Sequence, residues 1–239
     1  MKLGILEAGP VHADLVDQHG EYVDVFRRFL APRDSSLAFA KYAVHRDGPP
    51  ADPMEQDAWL ISGSRYGVYE DHSWIEPLKG FIRDCRDAGK PMIGVCFGHQ
   101  IMAEALGGKA EKSHKGWGLG PHRYEYLGGP SWMTTPANGL TIHALHQDQV
   151  TSLPPDSAVI AQSGFCECAA VVYGDPERPY GISIQAHPEF GDDFIGGVIQ
   201  ARSDDLPSDL VSRARADIGV GLDRDWAAEW FLSFLKLSD

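Results

Sequence analysis

The chain has 239 residues, of which 43 % are hydrophobic and 23 % charged, and this composition excludes a disordered or low-complexity protein. It is long enough to bury a substantial core without disulfides. Asp and Glu outnumber Lys and Arg by 34 to 21. The net charge of −13 disfavours a nucleic-acid partner and a basic membrane anchor, because such a chain repels phosphate groups.

No segment is typical of a membrane span or an export signal. The longest strongly apolar run, residues 91–103, contains His99 and Gln100 and falls short of the roughly 20 residues that a spanning helix needs. The apolar start of the chain is too short for the core of a signal peptide. Four cysteines are too few for a disulfide framework in a chain of this length. We therefore expect a cytoplasmic, reducing location.

In its first half, the chain alternates between short apolar runs and stretches with helical spacing. Strands are predicted at residues 3–7, 38–44, 58–61 and 92–95, and helices at 21–30 and 74–88. Pro32 stops the first helix, and Gly89 ends the second. This β-α-β alternation favours a mostly parallel sheet with helices on both faces.

After residue 108 the pattern changes to consecutive strands separated by Gly and Pro turns. Strands are predicted at residues 123–127, 140–144, 158–161, 169–173 and 180–185. They suggest an antiparallel or mixed extension of the same sheet. Residues 204–225 are polar and compatible with a helix in the middle. The last segment carries an apolar stripe at helical spacing, either a partner-binding face or, as base rates favour, a helix docked on the core.

A strand that runs directly into a helix marks the segment at residues 90–108. Gly94-x-Cys96-x-Gly98 has the spacing of a nucleophile elbow, in which a sharp turn brings the backbone close to the nucleophile and favours glycine on both sides. The N-terminus of the helix favours a thiolate, and the N–H of Phe97 points at a developing oxyanion. The alternative is that Cys96 is merely a small buried residue.

A cysteine nucleophile needs a base and a group that orients it. Of the ten histidines, His187 is the best candidate, because it follows a predicted strand and precedes a stiff Pro188 and Glu189. A carboxylate two residues on is placed to accept the proton of the second ring nitrogen. By itself, a histidine at a strand end is more often structural.

These motifs together resemble those of the class I, or triad, glutamine amidotransferases. The resemblance is nearest to the glutaminase domain of GMP synthetase and to stand-alone γ-glutamyl peptidases, and it spans most of the chain. It is carried by ISGS at 61–64, GVCFGHQ at 94–100, LHQDQV at 145–150 and HPE at 187–189. It implies a flavodoxin-like α/β fold with an open mixed, mostly parallel sheet. It also implies one domain over residues 1–239, with a core of about 1–191 and a helical extension of about 192–239.

The resemblance also assigns the residues of the site. Cys96 is expected to attack the γ-carbonyl, His187 to move the proton, and Glu189 to orient His187. The N–H of Phe97 is one expected oxyanion donor, and Gly63 or Ser64 supplies the second. The family usually has glycine where this chain has Ser64, and a positive φ would be costlier for serine. Expected contacts to the glutamyl end of the substrate are Gln100, His146, Gln147 and Asp148.

Three functions are compatible with these residues. The first is hydrolysis of glutamine to glutamate and ammonia, with ammonia passed to a partner synthase, since we expect no synthase domain in this chain. The second is γ-glutamyl peptidase activity, which the serine after Gly63 and the HQD variant favour somewhat. HQDQV in place of HGDxV, and Ala186 in place of an aromatic residue, leave substrate details open. The third is a binding module without catalysis.

No cofactor or metal is expected, because thiol chemistry needs only a base and an oxyanion hole. Cys166 and Cys168 at one-residue spacing are poor zinc ligands, and we predict structural cysteines on one face of a strand. The glycine-rich residues 113–120 lack the order of a phosphate-binding loop, and we predict a mobile loop near the site.

Overall fold

The computed structural model describes residues 1–134 and 139–237. Its strands are β1 (Lys2–Leu6), β2 (Ala38–Tyr42), β3 (Ala58–Ile61), β4 (Met92–Val95), β5 (Lys109–Lys112), β6 (Gly118–Tyr126), β7 (Leu140–His146), β8 (Asp148–Ser152), β9 (Ser157–Gln162), β10 (Ala170–Asp175) and β11 (Arg178–Ile184). Its helices are α1 (Ala13–His19), α2 (Tyr22–Leu30), α3 (Val44–Asp47), α4 (Ile75–Asp87), α5 (Phe97–Ala105), α6 (Asp192–Ala201), α7 (Ser208–Ala216) and α8 (Arg224–Lys236). A 3₁₀ turn spans Pro53–Glu55.

Nine strands of the described chain form one mixed sheet in the order β2-β1-β3-β4-β11-β10-β9-β6-β7. The pairs from β2 to β11 are parallel. The pairs from β11 to β7 are antiparallel. The order 2-1-3-4 at the parallel end is that of flavodoxin-like sheets. The predicted α/β fold with a mixed sheet is therefore confirmed.

The central parallel strands β3 and β4 are buried because helices cover both of their faces. All residues of β3 and β4 are buried, as expected for central parallel strands made of continuous apolar runs. On one face, α2 and α8 pack against Leu60, Ile93 and Val95. On the other face, α4 and α5 pack against Trp59 and Ile61. The strands are thus rigid supports for whatever follows their carboxyl ends.

The sheet extends further than the sequence predicted. Strand β6 begins at Gly118 rather than at residue 123, and β7 continues to His146. The antiparallel pair β5–β8 was missed, because its sequences, KAEK and DQVTS, contain no apolar run that would predict a strand. Helices α1 and α3 were also missed, since each is at most seven residues long.

Two local predictions need correction. Residues 118–120 belong to β6 and pair with β7, so the predicted loop at 113–120 is shorter than expected. Cys166 and Cys168 lie before β10 rather than within a strand, and only Cys166 is fully buried. The turn chemistry of Gly164 and the surrounding polar residues, which ends β9, was not recognised.

The C-terminal apolar stripe docks on the core, as predicted. In α8, the side chains of Trp230, Phe231 and Phe234 are at most 2 % exposed and join the cluster that covers the parallel strands. Within residues 1–134 and 139–237, no helix is both long and apolar enough to cross a bilayer.

Candidate active site

Three neighbouring parallel strands bring the candidate residues to one edge of the sheet. Ser62 follows β3, Cys96 follows β4, and Gln185 follows β11. Ligands of open α/β folds bind at this carboxyl edge. Residues that lie up to 123 positions apart in sequence are neighbours here because of the strand order alone.

Cys96 occupies a strained turn between β4 and α5. Its φ of 52° and ψ of −101° place it among the few described residues other than glycine with a positive φ. The turn is held from both sides, because the Cys96 N–H donates to the Ile184 carbonyl at 2.9 Å and its carbonyl accepts from Gln100 N–H at 3.1 Å. Such strain costs on the order of 1–3 kcal/mol and is concentrated at functional sites.

The glycines of the elbow are required by close packing. A Cβ on Gly98 would lie 2.2 Å from the Ile61 carbonyl oxygen, and one on Gly94 would lie 2.6 Å from the Gly98 oxygen. Helix α5 therefore starts in direct contact with the neighbouring strand. The thiol of Cys96 is consequently held at the N-terminal end of α5, where the helix dipole favours an anion.

His187 and Glu189 form a buried pair beside this thiol. The His187 Nδ1 lies 2.7 Å from Glu189 Oε1, and the side chains are 3 % and 0 % exposed. The Phe190 ring stacks on the imidazole at 4.0 Å between centroids and 5° between planes. The His187 N–H donates to the His143 carbonyl at 2.8 Å, so the turn after β11 is anchored to β7.

The electrostatics of this pair favour an imidazolium. Burial disfavours the charged form of His187, but the Glu189 carboxylate and a hydrogen bond and charge interaction with Cys96 together raise its pKa to about 10. The imidazole therefore interacts with both the Cys96 side chain and the Glu189 carboxylate. An imidazolium beside a cysteine side chain is the arrangement in which a histidine supplies the proton in thiol chemistry.

Arg224 on α8 holds the His-Pro-Glu turn from behind. Its Nε donates to the Pro188 carbonyl at 2.6 Å, and its Nη2 donates to the Glu189 carbonyl at 3.0 Å. The guanidinium also lies over the Phe29 ring at 5.7 Å. The sequence carried no signal for this contact. Arg224 follows Pro188 by 36 positions and Glu189 by 35, and it meets them only because α8 docks on the sheet.

The candidate oxyanion donors lie around the thiol and the imidazole. The Phe97 N–H is in the first turn of α5, where N–H groups have no acceptor within the helix. A Cβ on Gly63 would lie 2.7 Å from His187 Cε1, so Gly63 packs on the imidazole edge. Ser64 has no positive φ, and its hydroxyl donates to the Ala8 carbonyl at 2.8 Å. The serine therefore does not introduce the backbone strain that its presence suggested.

A cavity of about 160 Å³ opens at Cys96 and contains all the expected substrate contacts. It is lined by Cys96, Gln100, His146, Gln147 and Asp148, together with Tyr69. Charged groups of both signs, including Lys112, Arg65 and Glu70, surround it. Mixed charge of this kind suits a zwitterionic ligand better than a purely anionic or cationic one.

Gln100 and His146 both contact the backbone carbonyl of Asp148. The Gln100 side-chain amide donates to the Asp148 carbonyl at 2.9 Å and to Gln185 Oε1 at 3.1 Å. His146 Nδ1 lies 3.1 Å from the same Asp148 carbonyl, and burial lowers the pKa of His146 to about 3, so its ring is neutral. The Asp148 carboxyl is hydrogen-bonded to Tyr69, a residue that the sequence did not single out.

Among residues 1–134 and 139–237, no group of three or more His, Cys, Asp or Glu side chains is arranged to hold a metal ion. Cys85, Cys96, Cys166 and Cys168 are all free thiols. Burial raises the pKa of the Cys166 thiol to about 12, unlike that of a reactive cysteine.

Comparison with known proteins is consistent with this geometry. A family model described as "Glutamine amidotransferase class-I" matches residues 15–194. Gamma-glutamyl peptidase 4 of Arabidopsis thaliana is 30 % identical over 192 residues, which cover 76 % of this chain and 72 % of that protein. A GMP synthase [glutamine-hydrolyzing] of Burkholderia cenocepacia is 35 % identical over 139 residues, 55 % of this chain but only 24 % of that enzyme.

Solved structures share the fold over nearly the whole chain. A glutamine amido transferase from Methylobacillus flagellatus superposes with a TM-score of 0.77 at 21 % identity, covering 99 % of this chain and 94 % of that one. A glutamine amidotransferase from Thermotoga maritima gives a TM-score of 0.71 at 19 % identity, with coverages of 100 % and 97 %.

Proposed function

Because the chain belongs to the class I glutamine amidotransferase family, we propose that it is a cysteine hydrolase of the γ-carbonyl C–N bond of a glutamyl group. With glutamine as substrate, the products are glutamate and ammonia. Cys96 is the nucleophile, His187 the proton donor and acceptor, and Glu189 the group that orients His187. This proposal is carried by the position of the Cys96 side chain, which a strained backbone turn places next to the buried His187–Glu189 pair.

The first half of the reaction forms a thioester. The Cys96 thiolate attacks the γ-carbonyl carbon, and the N–H of Phe97 with one from Gly63 or Ser64 stabilises the oxyanion. As the tetrahedral intermediate collapses, the C–N bond breaks and the His187 imidazolium gives its proton to the departing nitrogen. Ammonia or an amine leaves, and the γ-glutamyl group remains on sulfur.

The second half returns the enzyme to its starting state. Water attacks the thioester carbon, and the now neutral His187 takes a proton from it. The C–S bond breaks, which releases glutamate and restores the thiolate and the imidazolium. The mixed-charge cavity at Gln100, His146, Gln147 and Asp148 is where the zwitterionic end of the glutamyl group would bind.

The direct test is ammonia release from glutamine by the purified chain, with acid quenching and mass spectrometry of the protein. We expect ammonia to form and a glutamyl adduct to appear on the peptide that contains Cys96. The Cys96→Ser variant, which keeps the shape of the site, is expected to show neither. An adduct on another cysteine, or activity that survives in Cys96→Ser, would disprove the assignment.

A second candidate is γ-glutamyl peptidase activity, in which an amino acid or peptide leaves instead of ammonia. Two observations favour it: the match to gamma-glutamyl peptidase 4 over 76 % of this chain, and a second cavity on the His187 side of the site. Hydrolysis of γ-glutamyl dipeptides in the same assay tests it. Ammonia release with no dipeptide cleavage would favour glutamine, and with it a synthase partner that takes up the ammonia.

The third possibility, a binding module without catalysis, predicts a different result. Such a chain would bind a γ-glutamyl compound without forming the Cys96 adduct. The absence of an adduct with every substrate, together with measurable binding by calorimetry, would support it.

A further inference from the structure

A second cavity adjoins the first beside His187, and its volume is about 530 Å³ compared with about 160 Å³. Ser64, Arg65, Leu145 and Arg202 line both cavities, so the two meet along a common boundary. The expected glutamyl contacts, Gln100 and residues 146–148, line only the first cavity. The second is lined by His187, Tyr22, Val11, Phe190, Phe194 and Val198.

The position of the second cavity relative to His187, the proposed proton donor, assigns the ligand of this cavity, provided that the proposed function holds. His187 must deliver a proton to the departing nitrogen, so that nitrogen has to lie within hydrogen-bond reach of the imidazole. Cys96 lines the first cavity, and His187 lines the second. With the glutamyl group in the first cavity, the leaving amine is therefore directed into the second.

The size of the second cavity exceeds what ammonia needs. Ammonia is about as large as water, whose share of liquid volume is roughly 30 Å³. In a cavity of about 530 Å³, ammonia would contact only a small part of the lining and would otherwise be surrounded by water. An amino acid or a short peptide as leaving group would instead fill the space and displace its water.

One wall of the second cavity is apolar, whereas His12, Arg65, Arg202 and Asp205 line other parts of it. Val11, Phe190, Phe194 and Val198 are each no more than 7 % exposed, and they form a continuous apolar wall with Tyr22. A charged side chain placed against this wall would lose its hydration there, because Arg65, Arg202 and Asp205 are not part of the wall. An aromatic or branched aliphatic side chain would bury apolar surface there.

Two cations, Arg65 and Arg202, lie where the two cavities meet, and Arg65 donates to the Tyr66 hydroxyl at 3.2 Å. Arg202, which follows α6, lines both cavities, and its guanidinium lies 5.1 Å from the centroid of the Trp117 ring. A guanidinium held over an aromatic ring is a suitable partner for a carboxylate. A departing amino acid carries an α-carboxylate close to the scissile bond, whereas ammonia carries none.

From these observations we propose that the second cavity is the leaving-group site of a γ-glutamyl peptidase that prefers an aromatic or branched aliphatic amino acid after the γ-glutamyl bond. Arg202 binds the α-carboxylate of that amino acid. The chemistry is the thioester reaction above: the C–N bond breaks, His187 protonates the amine, the free amino acid leaves, and water releases glutamate.

The first test compares leaving groups on the wild-type chain. We expect kcat/KM for γ-glutamyl-phenylalanine and γ-glutamyl-leucine to exceed that for γ-glutamyl-glycine and γ-glutamyl-aspartate by about tenfold or more, the range that apolar pockets achieve. Equal values across the four dipeptides, or a preference for the aspartate conjugate, would overturn the proposal.

The second test fills the cavity. Val198→Phe is expected to lower kcat/KM for γ-glutamyl-phenylalanine about tenfold and to change that for γ-glutamyl-glycine by less than about twofold. Val220→Phe is the matched control, because Val220 is 48 % exposed and lines neither cavity. An equal loss with both dipeptides in Val198→Phe would indicate general damage to the site and contradict the assignment.

The third test addresses Arg202. Arg202→Gln is expected to raise KM for γ-glutamyl-phenylalanine about tenfold, as loss of a charged hydrogen bond would. The same variant should leave KM for γ-glutamyl-phenethylamide, which has the ring but no carboxylate, within about twofold of the wild-type value. Equal effects on both substrates would exclude a carboxylate contact.

Failure of this inference is distinguishable from failure of the proposed function. If glutamine and all four dipeptides are hydrolysed at similar rates in a reaction that requires Cys96, only the leaving-group assignment is wrong. If no γ-glutamyl compound is hydrolysed and no adduct forms on Cys96, both proposals are wrong.

Discussion

Cys85 lies in α4 and Cys96 immediately before α5, and these two buried thiols differ in their position relative to the helix and in their charged neighbours. Cys85 is fully buried in the last turn of α4, where burial, with a smaller contribution from the Asp84 carboxylate, raises its pKa to about 12. Cys96 precedes the first turn of α5 with a positive φ and is hydrogen-bonded to His187. Burial alone therefore does not distinguish the two thiols; the helix end and the neighbouring histidine do.

The largest expected effect comes from removing the reactive thiol. Cys96→Ala should reduce hydrolysis of any γ-glutamyl substrate by at least about 10⁴-fold, because no other group can form the thioester. The measurement is kcat/KM for glutamine and one γ-glutamyl dipeptide. The unfolding midpoint in urea shows whether the fold is intact, and activity within tenfold of the wild type would contradict the comparison of the two cysteines.

Removing the base should cost less than removing the nucleophile. His187→Ala is expected to lower kcat by about 10²–10⁴-fold, the usual contribution of general acid–base catalysis. Alkylation of Cys96 by iodoacetamide at pH 7 should also slow, because the imidazolium that favours the thiolate is lost. Unchanged alkylation would show that the helix end alone makes Cys96 differ from Cys85.

The carboxylate partner should control the pH range of the reaction. The Glu189 carboxylate raises the pKa of His187, so Glu189→Gln lowers that pKa and the imidazolium is lost at lower pH. We expect the alkaline limb of kcat/KM, near pH 10 in the wild type, to move down by at least one unit, with a loss of about 10²-fold at neutral pH. An unmoved alkaline limb would indicate that another group supports His187.

A smaller effect is expected from the contact between Arg224 and the His-Pro-Glu turn. Arg224→Gln removes the donors to the Pro188 and Glu189 carbonyls and should lower kcat several-fold with little change in KM. Arg224→Lys, which keeps one donor and the charge, should recover part of that loss. A purely structural role would instead lower the unfolding midpoint and leave kcat of the folded protein unchanged.

The smallest effect should come from the structural thiol. Cys85→Ala should leave kcat/KM within about twofold of the wild-type value, and it should reduce the free energy of unfolding by about 1 kcal/mol because the core loses one buried atom. Urea denaturation and the glutamine assay measure the two quantities. A large loss of activity in Cys85→Ala would break the distinction between the two thiols.

The sequence by itself determined the parts of the protein whose physical cause is local. Apolar runs at 58–61 and 92–95 predicted strands of a mostly parallel sheet, and β3 and β4 occupy those residues. The glycines around Cys96 predicted a tight elbow. No larger residue fits there, because a Cβ on Gly94 or Gly98 would clash with a backbone oxygen. His187 and Glu189, two positions apart, needed only one turn to meet.

Only the tertiary structure decided the features that depend on strand order and helix docking. The strands β5 and β8 are polar and lie about 40 residues apart in the sequence, so no local pattern predicts their pairing. Arg224 reaches the His-Pro-Glu turn because α8 packs on the sheet. The second cavity exists because α6 and the segment before α1 converge beside His187. Local sequence carries the chemistry of the nucleophile, whereas the space for its substrate arises from contacts between distant segments, whose closure depends on the whole fold.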